Sequence, residues 1–265
     1  MKLLSLASLT ILATTMVNTP AFAHNSHYGS CDTNINGEVS FAKNTLTVTT
    51  EQDEKISFDP RGNVTHNGST VVLTSAQQNA AINYYEGVET AIPMVVDITV
   101  EALNITNIAL TDVFTGFLGS DSELPAKISD KLKNVGTSIE EHVYKDPTSL
   151  TFNSTYLENE LGLDDNLDAE IEALKEEAMG EFMGEIFMAL GKAMMSGDSN
   201  LSDFESRMET LGSDIEQKVE SLAVQLEDKA DALCDTFERI DNAENTLNQV
   251  KALRHLDVMN VTNKQ

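Results

Sequence analysis

Along residues 37–74, apolar side chains alternate with polar ones, which is typical of strands that bury one face. The apolar pairs stand two positions apart, at Val39/Phe41, Leu46/Val48, Ile56/Phe58 and Val71/Leu73. Turn residues separate these pairs, namely Lys43-Asn44, Pro60-Arg61-Gly62 and Asn67-Gly68. The pattern predicts a small antiparallel β-meander over 37–74, and its apolar face must be covered by other elements.

Beyond the meander, the apolar residues recur at helical spacing. Ser75 and Gln78 form a predicted capping box, and the spacing predicts a helical core over 75–145 with a kink near Pro93. The stretch 95–118 is apolar over so wide an arc that we expect it to be central to the fold. We do not expect it to span a membrane, because Asp97, Glu101 and Asp112 interrupt it and Glu89 precedes it.

The remainder of the chain has fewer breaks. Residues 146–165 are predicted to form a loop that contains a short strand, and 166–265 a hairpin or bundle of long helices. An apolar seam in coiled-coil-like alternation runs through that last segment. Unbroken from 203 to 258, the helix would be about 84 Å long, so we expect it to break at Gly212 or to protrude. The predicted fold class is α+β.

The N-terminus has the pattern of a secretory leader. Lys2 precedes an uncharged apolar run, and Ala21-Phe22-Ala23 is a small-x-small cleavage pattern. We predict a signal peptide at 1–23 that is cleaved after Ala23, a flexible N-terminus at 24–36 and a periplasmic protein with no stable membrane span after cleavage. The leader's apolar run is shorter than a membrane span requires.

The chain is strongly acidic. Its 265 residues include 43 acidic and 17 basic ones, for a net charge of -26. A nucleic-acid partner is excluded, since such proteins need a basic surface to displace counterions. The charge instead keeps exposed helices soluble.

Two cysteines are present, Cys31 and Cys234. In an oxidising compartment they are expected to form a disulfide. The alternative is two free thiols, with Cys234 packed as a small apolar residue. Neither belongs to a CxxC pair, which disfavours a redox role.

Several stretches resemble the YggN family of exported proteobacterial proteins. They are Val64-Thr65-His66-Asn67-Gly68, Gln77-Gln78, Glu101-Ala102-Leu103-Asn104-Ile105-Thr106-Asn107, Phe117-Leu118-Gly119, His142-Val143-Tyr144, Ser149-Leu150-Thr151-Phe152-Asn153-Ser154, Ala193-Met194-Met195-Ser196-Gly197 and Asp228-Lys229-Ala230-Asp231-Ala232-Leu233-Cys234. The resemblance implies a periplasmic location and a function that is unassigned. It implies no catalytic residue.

One candidate site lies on the most apolar helix. Asp97, Glu101 and Asn104 stand at i, i+4 and i+7 and share one helical face. If buried, the two carboxylates would share a proton, as a proton-handling or cation site needs. The alternative is a stripe that faces solvent or a neighbouring loop.

A second candidate is a helix rich in Met and Phe. Met179, Phe182, Met183 and Phe187 could line a groove for a lipid or a small apolar ligand, because Met suits irregular apolar surfaces. The alternative is ordinary core packing against the C-terminal helix.

Common catalytic signatures are absent from the sequence, including GxSxG, HExxH and the Walker loop. We therefore expect a non-catalytic protein without cofactor or metal, whose acidic long helices bind an envelope protein or a second copy of the chain. The alternatives are a carrier of an apolar ligand and an enzyme or cation site at Asp97 and Glu101.

Overall fold

The computed structural model describes residues 31–118, 123–145, 150–154, 180, 184 and 199–263. The described strands are β1 (Cys31–Ile35), β2 (Glu38–Ala42), β3 (Thr45–Thr49), β4 (Lys55–Phe58), β5 (Val64–His66), β6 (Ser69–Val71), β7 (Phe152–Asn153) and β8 (Met259–Asn263). The described α-helices are α1 (Ser75–Leu118), α2 (Leu124–Val143) and α3 (Ser199–Leu247), and a 3-10 turn spans Lys251–Leu253. The α+β prediction is confirmed. The predicted signal peptide lies outside the described residues.

The chain divides into two units. The sheet unit comprises Met1–Val95, Asp146–Asn153 and Glu227–Gln265, and the helical unit comprises Val96–Lys145 and Ser154–Leu226. Both α1 and α3 contribute residues to each unit. The units are described separately below.

The sheet unit is built on the predicted meander. Six antiparallel strands follow the order β6-β5-β4-β3-β2-β7. The turn residues Lys43 and Asn44 adopt φ of 50° and 56°, and Asn67 and Gly68 adopt 48° and 80°, as two-residue hairpin turns require. Strand β7 lies inside the segment 146–165, where a short strand was expected. Strand β5 was not anticipated, because only Val64 marks its buried face.

Aromatic contacts join the sheet to α1. The Phe41 and Tyr85 ring centroids are 5.3 Å apart, and those of Phe58 and Tyr84 are 4.9 Å apart. All four rings are buried. The same core also takes in Leu46, Val48, Ile56 and Val64 from the sheet and Ile240, Leu247, Leu253 and Leu256 from the C-terminal part of the chain.

The N-terminal segment 24–36, which was predicted to be flexible, contains a strand. Residues 31–35 form β1, which pairs antiparallel with β8, so that Cys31 lies opposite Asn263. Cys31 and Cys234 form the disulfide that the sequence predicted, with Cα atoms 5.9 Å apart. Backbone pairing and a covalent bond therefore hold this strand.

The residue that caps α1 is Thr74, one residue before the predicted cap, Ser75. Thr74 Oγ1 accepts a hydrogen bond from the Gln77 N–H at 3.3 Å, and the Thr74 N–H donates to Gln77 Oε1 at 3.0 Å. The capping box is therefore Thr74/Gln77 rather than Ser75/Gln78. The helix continues through Pro93 and does not end there.

Helix α3 contradicts two expectations. It passes through Gly212 without a break, and it ends at Leu247, well before the expected end near Met259. The chain then turns and forms β8, because Leu253, Leu256 and Val258 become buried in the sheet unit. The segment after Leu247 therefore ends in a strand, where the sequence had predicted a continued helix.

The helical unit has a small described core. Helix α2 lies within the helical core predicted over 75–145, and it buries Ile128, Ile139 and Val143. A side chain at Gly136 would meet Leu103 and Val100 of α1, so the two helices pack closely at this point. Gly180 and Gly184 have helical backbone.

Candidate functional site

The predicted polar stripe lies on the part of α1 that belongs to the helical unit. Asp97 and Asn104 are exposed and Glu101 is half-buried. The full burial that proton sharing needs is thus not found at either carboxylate. Further along α1, Lys218 Nζ lies 2.7 Å from Asp112 Oδ2, and this hydrogen bond and charge raise the pKa of Lys218. These contacts fit a polar face more closely than a cation site.

The Met- and Phe-rich candidate cannot be placed in the same way. Met179, Phe182, Met183 and Phe187 lie outside the described residues. The groove that they were expected to line stays a prediction.

An apolar surface of the helical unit is only partly covered. We call it the distal seam and define it by half-buried residues on the facing sides of two helices: Ile98, Ile105 and Ile108 on α1, and Leu211, Ile215, Val219, Leu222 and Leu226 on α3. Among the side chains described between 97 and 116 and between 209 and 233, none is buried. Val224 stands two positions from both Leu222 and Leu226, on the opposite face of α3 from the seam, and is 54% exposed.

The two helices meet within the seam. A Cβ atom at Gly116 would lie 2.1 Å from Leu211 Cδ2, so glycine is what allows this leucine to approach α1. The ion pair between Lys218 and Asp112 adds a second contact between the same helices. The seam is therefore a paired surface whose apolar side chains are shared between helices yet not enclosed.

Part of this surface is unusually apolar. The segment Ser75–Gly116 of α1 is long and apolar enough to cross a membrane by length and composition, with a mean hydropathy of 1.3 over its most apolar 18 residues. Only 6% of that stretch is buried. Core helices of soluble proteins pass the same test, but most of their residues are buried.

A polar cleft lies in the sheet unit, with a volume of about 380 Å³, and its lining residues are Glu54, His66, Lys251, Ala252, Arg254 and His255. Glu54 Oε2 lies 3.1 Å from His255 Nδ1 and 3.5 Å from His66 Nε2. Arg254 Nε donates to His255 Nε2 at 3.1 Å. Although His255 Nδ1 lies close to Glu54, it is buried without a hydrogen-bond partner within the described part of the chain.

Local structure fixes the position of Glu54 and His66. The turn before β4 is closed by Thr50, whose backbone N–H donates to the Glu54 carbonyl at 3.0 Å and whose Oγ1 accepts from the Glu54 N–H at 3.3 Å. Asn67 caps the next hairpin, because its Oδ1 accepts from the Lys55 N–H at 2.9 Å. Both side chains therefore project from short, well-bonded turns.

The cleft lacks the parts of the common catalytic sites. Its lining contains no hydroxyl or thiol nucleophile, and His255 Nε2 is occupied by Arg254. In the part of the chain that the structure describes, no group of three or more His, Cys, Asp or Glu residues is suited to hold a metal ion. In the cleft, Glu54 uses the same oxygen to contact both imidazoles.

A buried acid lies near the C-terminal end of α3. Glu244 is 1% exposed, and its carboxylate accepts hydrogen bonds from the Val258 and Met259 N–H groups at the start of β8. Burial raises the pKa of Glu244 to about 7; the two N–H groups oppose this shift, while Asp257 and Asp241 add to it. Tyr84 hydrogen bonds to the same carboxyl, and burial together with Glu244 raises the pKa of Tyr84.

Sequence reasoning did not identify these polar groups as sites. His66 and His255 are two of only five histidines, and that scarcity was the available signal. In the sequence, nothing distinguishes Glu244 from the other acidic residues of α3. It is buried only because β8 folds back over it. Each cluster depends on contacts between distant parts of the sequence, which no local spacing encodes.

Comparison with known proteins identifies a family without identifying an activity. No curated protein and no solved structure shows significant similarity to the chain. A family model described as a protein of unknown function, DUF2884, matches residues 31–259. That range covers most of the chain and both units. The chain therefore belongs to the DUF2884 family.

Proposed function

We propose that this chain is an exported, non-catalytic protein that binds another polypeptide through the distal seam. One observation carries the proposal: apolar residues recur at helical spacing along α1 and α3, yet those described in the seam are only half-buried. Burying apolar area contributes roughly 25 cal/mol per Å², so a complementary surface would gain appreciable free energy there.

The surrounding charge suits such a surface. An excess of 43 acidic over 17 basic residues keeps partly apolar helices soluble before they meet a partner. An amphipathic helix or a groove between two helices is a common way of recognising a second helix. The partner is accordingly an envelope protein or a second copy of this chain.

Export is supported by independent features. The leader pattern at 1–23 and the resemblance to the exported YggN family both favour the periplasm. The Cys31–Cys234 disulfide fits an oxidising compartment, since such bonds are rare in the cytosol.

The proposal is tested with two valine variants that carry the same change. Val219 is a half-buried member of the seam, and Val224 lies on the opposite face of the same helix, where it is 54% exposed. A buried interface does not tolerate an unpaired carboxylate. Val219→Glu should therefore weaken association at least tenfold, while Val224→Glu should leave it unchanged.

The measurements are light scattering on the purified mature protein and crosslinking in intact cells. Self-association should strengthen with salt, because like charges are screened, whereas a basic partner should bind less tightly. The proposal fails if the protein is a monomer whose crosslinks do not change in Val219→Glu.

A second candidate function is a carrier of a lipid or small apolar ligand. The low burial of the most apolar stretch of α1, only 6%, favours it. Native mass spectrometry of protein purified from its own compartment should then show a retained adduct. A clean apo mass would remove this candidate and leave the polypeptide-binding proposal intact.

A further inference from the structure

The polar cleft of the sheet unit has a charge balance opposite to that of the chain. Acidic residues outnumber basic ones by 43 to 17 overall. The cleft has a single acid, Glu54, among Lys251, Arg254 and two histidines. We propose that this cleft binds a small molecule through a phosphate group, a site independent of the distal seam.

Glu54 offsets only one of the two positive charges. Its Oε2 lies 3.1 Å from His255 Nδ1 and 3.5 Å from His66 Nε2, so it faces the imidazoles and not the two cations. Lys251 and Arg254 are exposed, and within the described ranges neither forms an ion pair with an acid. Their ammonium and guanidinium groups are therefore available to an incoming anion.

The adjoining cleft shows why the larger cleft is preferred. The smaller one, about 190 Å³, shares Arg254 and His255 but adds Glu51 and Asp257 to its lining. Two carboxylates would repel an anion there. In the larger cleft, the arginine fork and the lysine ammonium are both donors that phosphate accepts well.

The cationic groups are held on a firmly anchored turn. Leu253 and Leu256 are fully buried, and the backbone bonds from Leu253 N to the Val250 carbonyl and from Leu256 N to the Leu253 carbonyl are 2.8 and 2.9 Å long. Lys251 and Arg254 flank this anchor. The backbone that carries both cations is therefore already fixed before a ligand binds, which lowers the entropy lost on binding.

The size of the cleft indicates the ligand class. A volume of about 380 Å³ lies within the range of small-molecule sites and exceeds what inorganic phosphate alone needs. Ala252 and the aliphatic stems of the two cations can contact an apolar body. A phosphorylated small molecule and a lipid phosphate headgroup share this chemistry.

The test uses the mature protein and titration calorimetry with inorganic phosphate. Lys251→Met/Arg254→Gln should weaken binding at least tenfold. The matched control, Lys43→Met/Arg61→Gln, removes the same charge from exposed turns of the same unit and should bind as the wild type does. Lys251→Arg should retain binding, because it keeps the positive charge.

A second arm distinguishes the two sources of the phosphate group. Flotation with vesicles of phosphatidylcholine, with and without phosphatidylglycerol, tests the lipid headgroup. Lipid binding that is lost in Lys251→Met/Arg254→Gln assigns the site to lipid, whereas binding of inorganic phosphate alone assigns it to a soluble ligand. The proposal is overturned if neither probe binds, or if the control double variant loses as much affinity as the cleft variant.

Discussion

Two segments of the same helix have different environments in the two units. In α1, Tyr84, Tyr85 and Ile92 are buried in the sheet unit, whereas Ile98 and Leu103 of the helical unit are half-buried. All five are large and apolar. The difference lies in what they pack against, because a sheet offers a broad apolar face and a neighbouring helix offers only a narrow ridge.

Helix α3 repeats the contrast in reverse order. The seam residues Leu211 and Leu226 are half-buried, and full burial begins only at Cys234 and continues through Ile240 and Leu247. An amphipathic pattern therefore specifies which face turns inward but not how completely that face is covered. The sheet unit is well enclosed, and the helical unit retains half-buried apolar side chains.

The largest expected effect comes from removing the disulfide bond of the sheet unit. For a separation of 203 residues, the chain-entropy model gives an upper value of about 5 kcal/mol, and removing a native disulfide typically costs 2–5 kcal/mol. Cys31→Ser/Cys234→Ser should lower the free energy of unfolding by about that amount. Hydrogen exchange should show faster exchange in β1 and β8.

Helix α2 supplies the internal control for this variant, because it lies wholly in the helical unit. Its exchange rates should stay unchanged. Dithiothreitol should reproduce the effect in the wild type and add nothing in the double variant. An equal loss of protection in α2 would show that the two units unfold together and would break the comparison.

The next effect concerns Glu244. Its folded-state pKa of about 7 lies above the ordinary value of 4.5, so between these values the folded protein binds more protons than the unfolded chain. The contribution of this carboxyl to stability is present below pH 4.5 and is lost as the pH rises through 7. The loss amounts to about 3 kcal/mol.

Glu244→Gln should remove that slope from the plot of unfolding free energy against pH. Glu216→Gln, at an exposed site on the same helix, should leave the slope as in the wild type. Urea denaturation between pH 4 and 8 measures both variants. Parallel curves for Glu244→Gln and the wild type would disprove the titration of this group.

The smallest effect compares two helical glycines. A Cβ at Gly87 would lie 2.6 Å from Ile240 Cγ1, whereas nothing lies within 4 Å of a Cβ at Gly212. Gly87→Ala should cost roughly 1–3 kcal/mol through overpacking. Gly212→Ala should stabilise by about 1 kcal/mol, because alanine is the better helix former. Thermal unfolding distinguishes the two signs, and the same sign at both sites would contradict this account.

Local signals predicted the hairpins well. Lys43-Asn44 and Asn67-Gly68 tolerate positive φ, and each pair forms a tight turn, because hairpin geometry depends on adjacent residues. The start of α1 was predicted one residue away for a related reason. Thr74 and Ser75 are both good caps, and the reciprocal bonds between Thr74 and Gln77 decide between them.

Features that depend on distant pairing were not predictable in this way. Strand β1 has few apolar residues and exists because β8 pairs with it, so residues 24–36 seemed flexible. The break expected at Gly212 assumed that glycine ends a helix, but a single glycine inside a helix costs only about 1 kcal/mol, and α3 continues across that position. The cleft combines Glu54 and His66 with His255 from the opposite end of the sequence, and no spacing rule connects them.

The pairing of β1 with β8 sets the order in which the molecule can be completed. Synthesis proceeds from the N-terminus, so Cys31 is made before Cys234 and β1 is made before β8. A nascent chain that stops short of Met259 carries an unpaired strand. Deletion of β8 should therefore expose the protein to degradation more than an equal deletion within a surface loop.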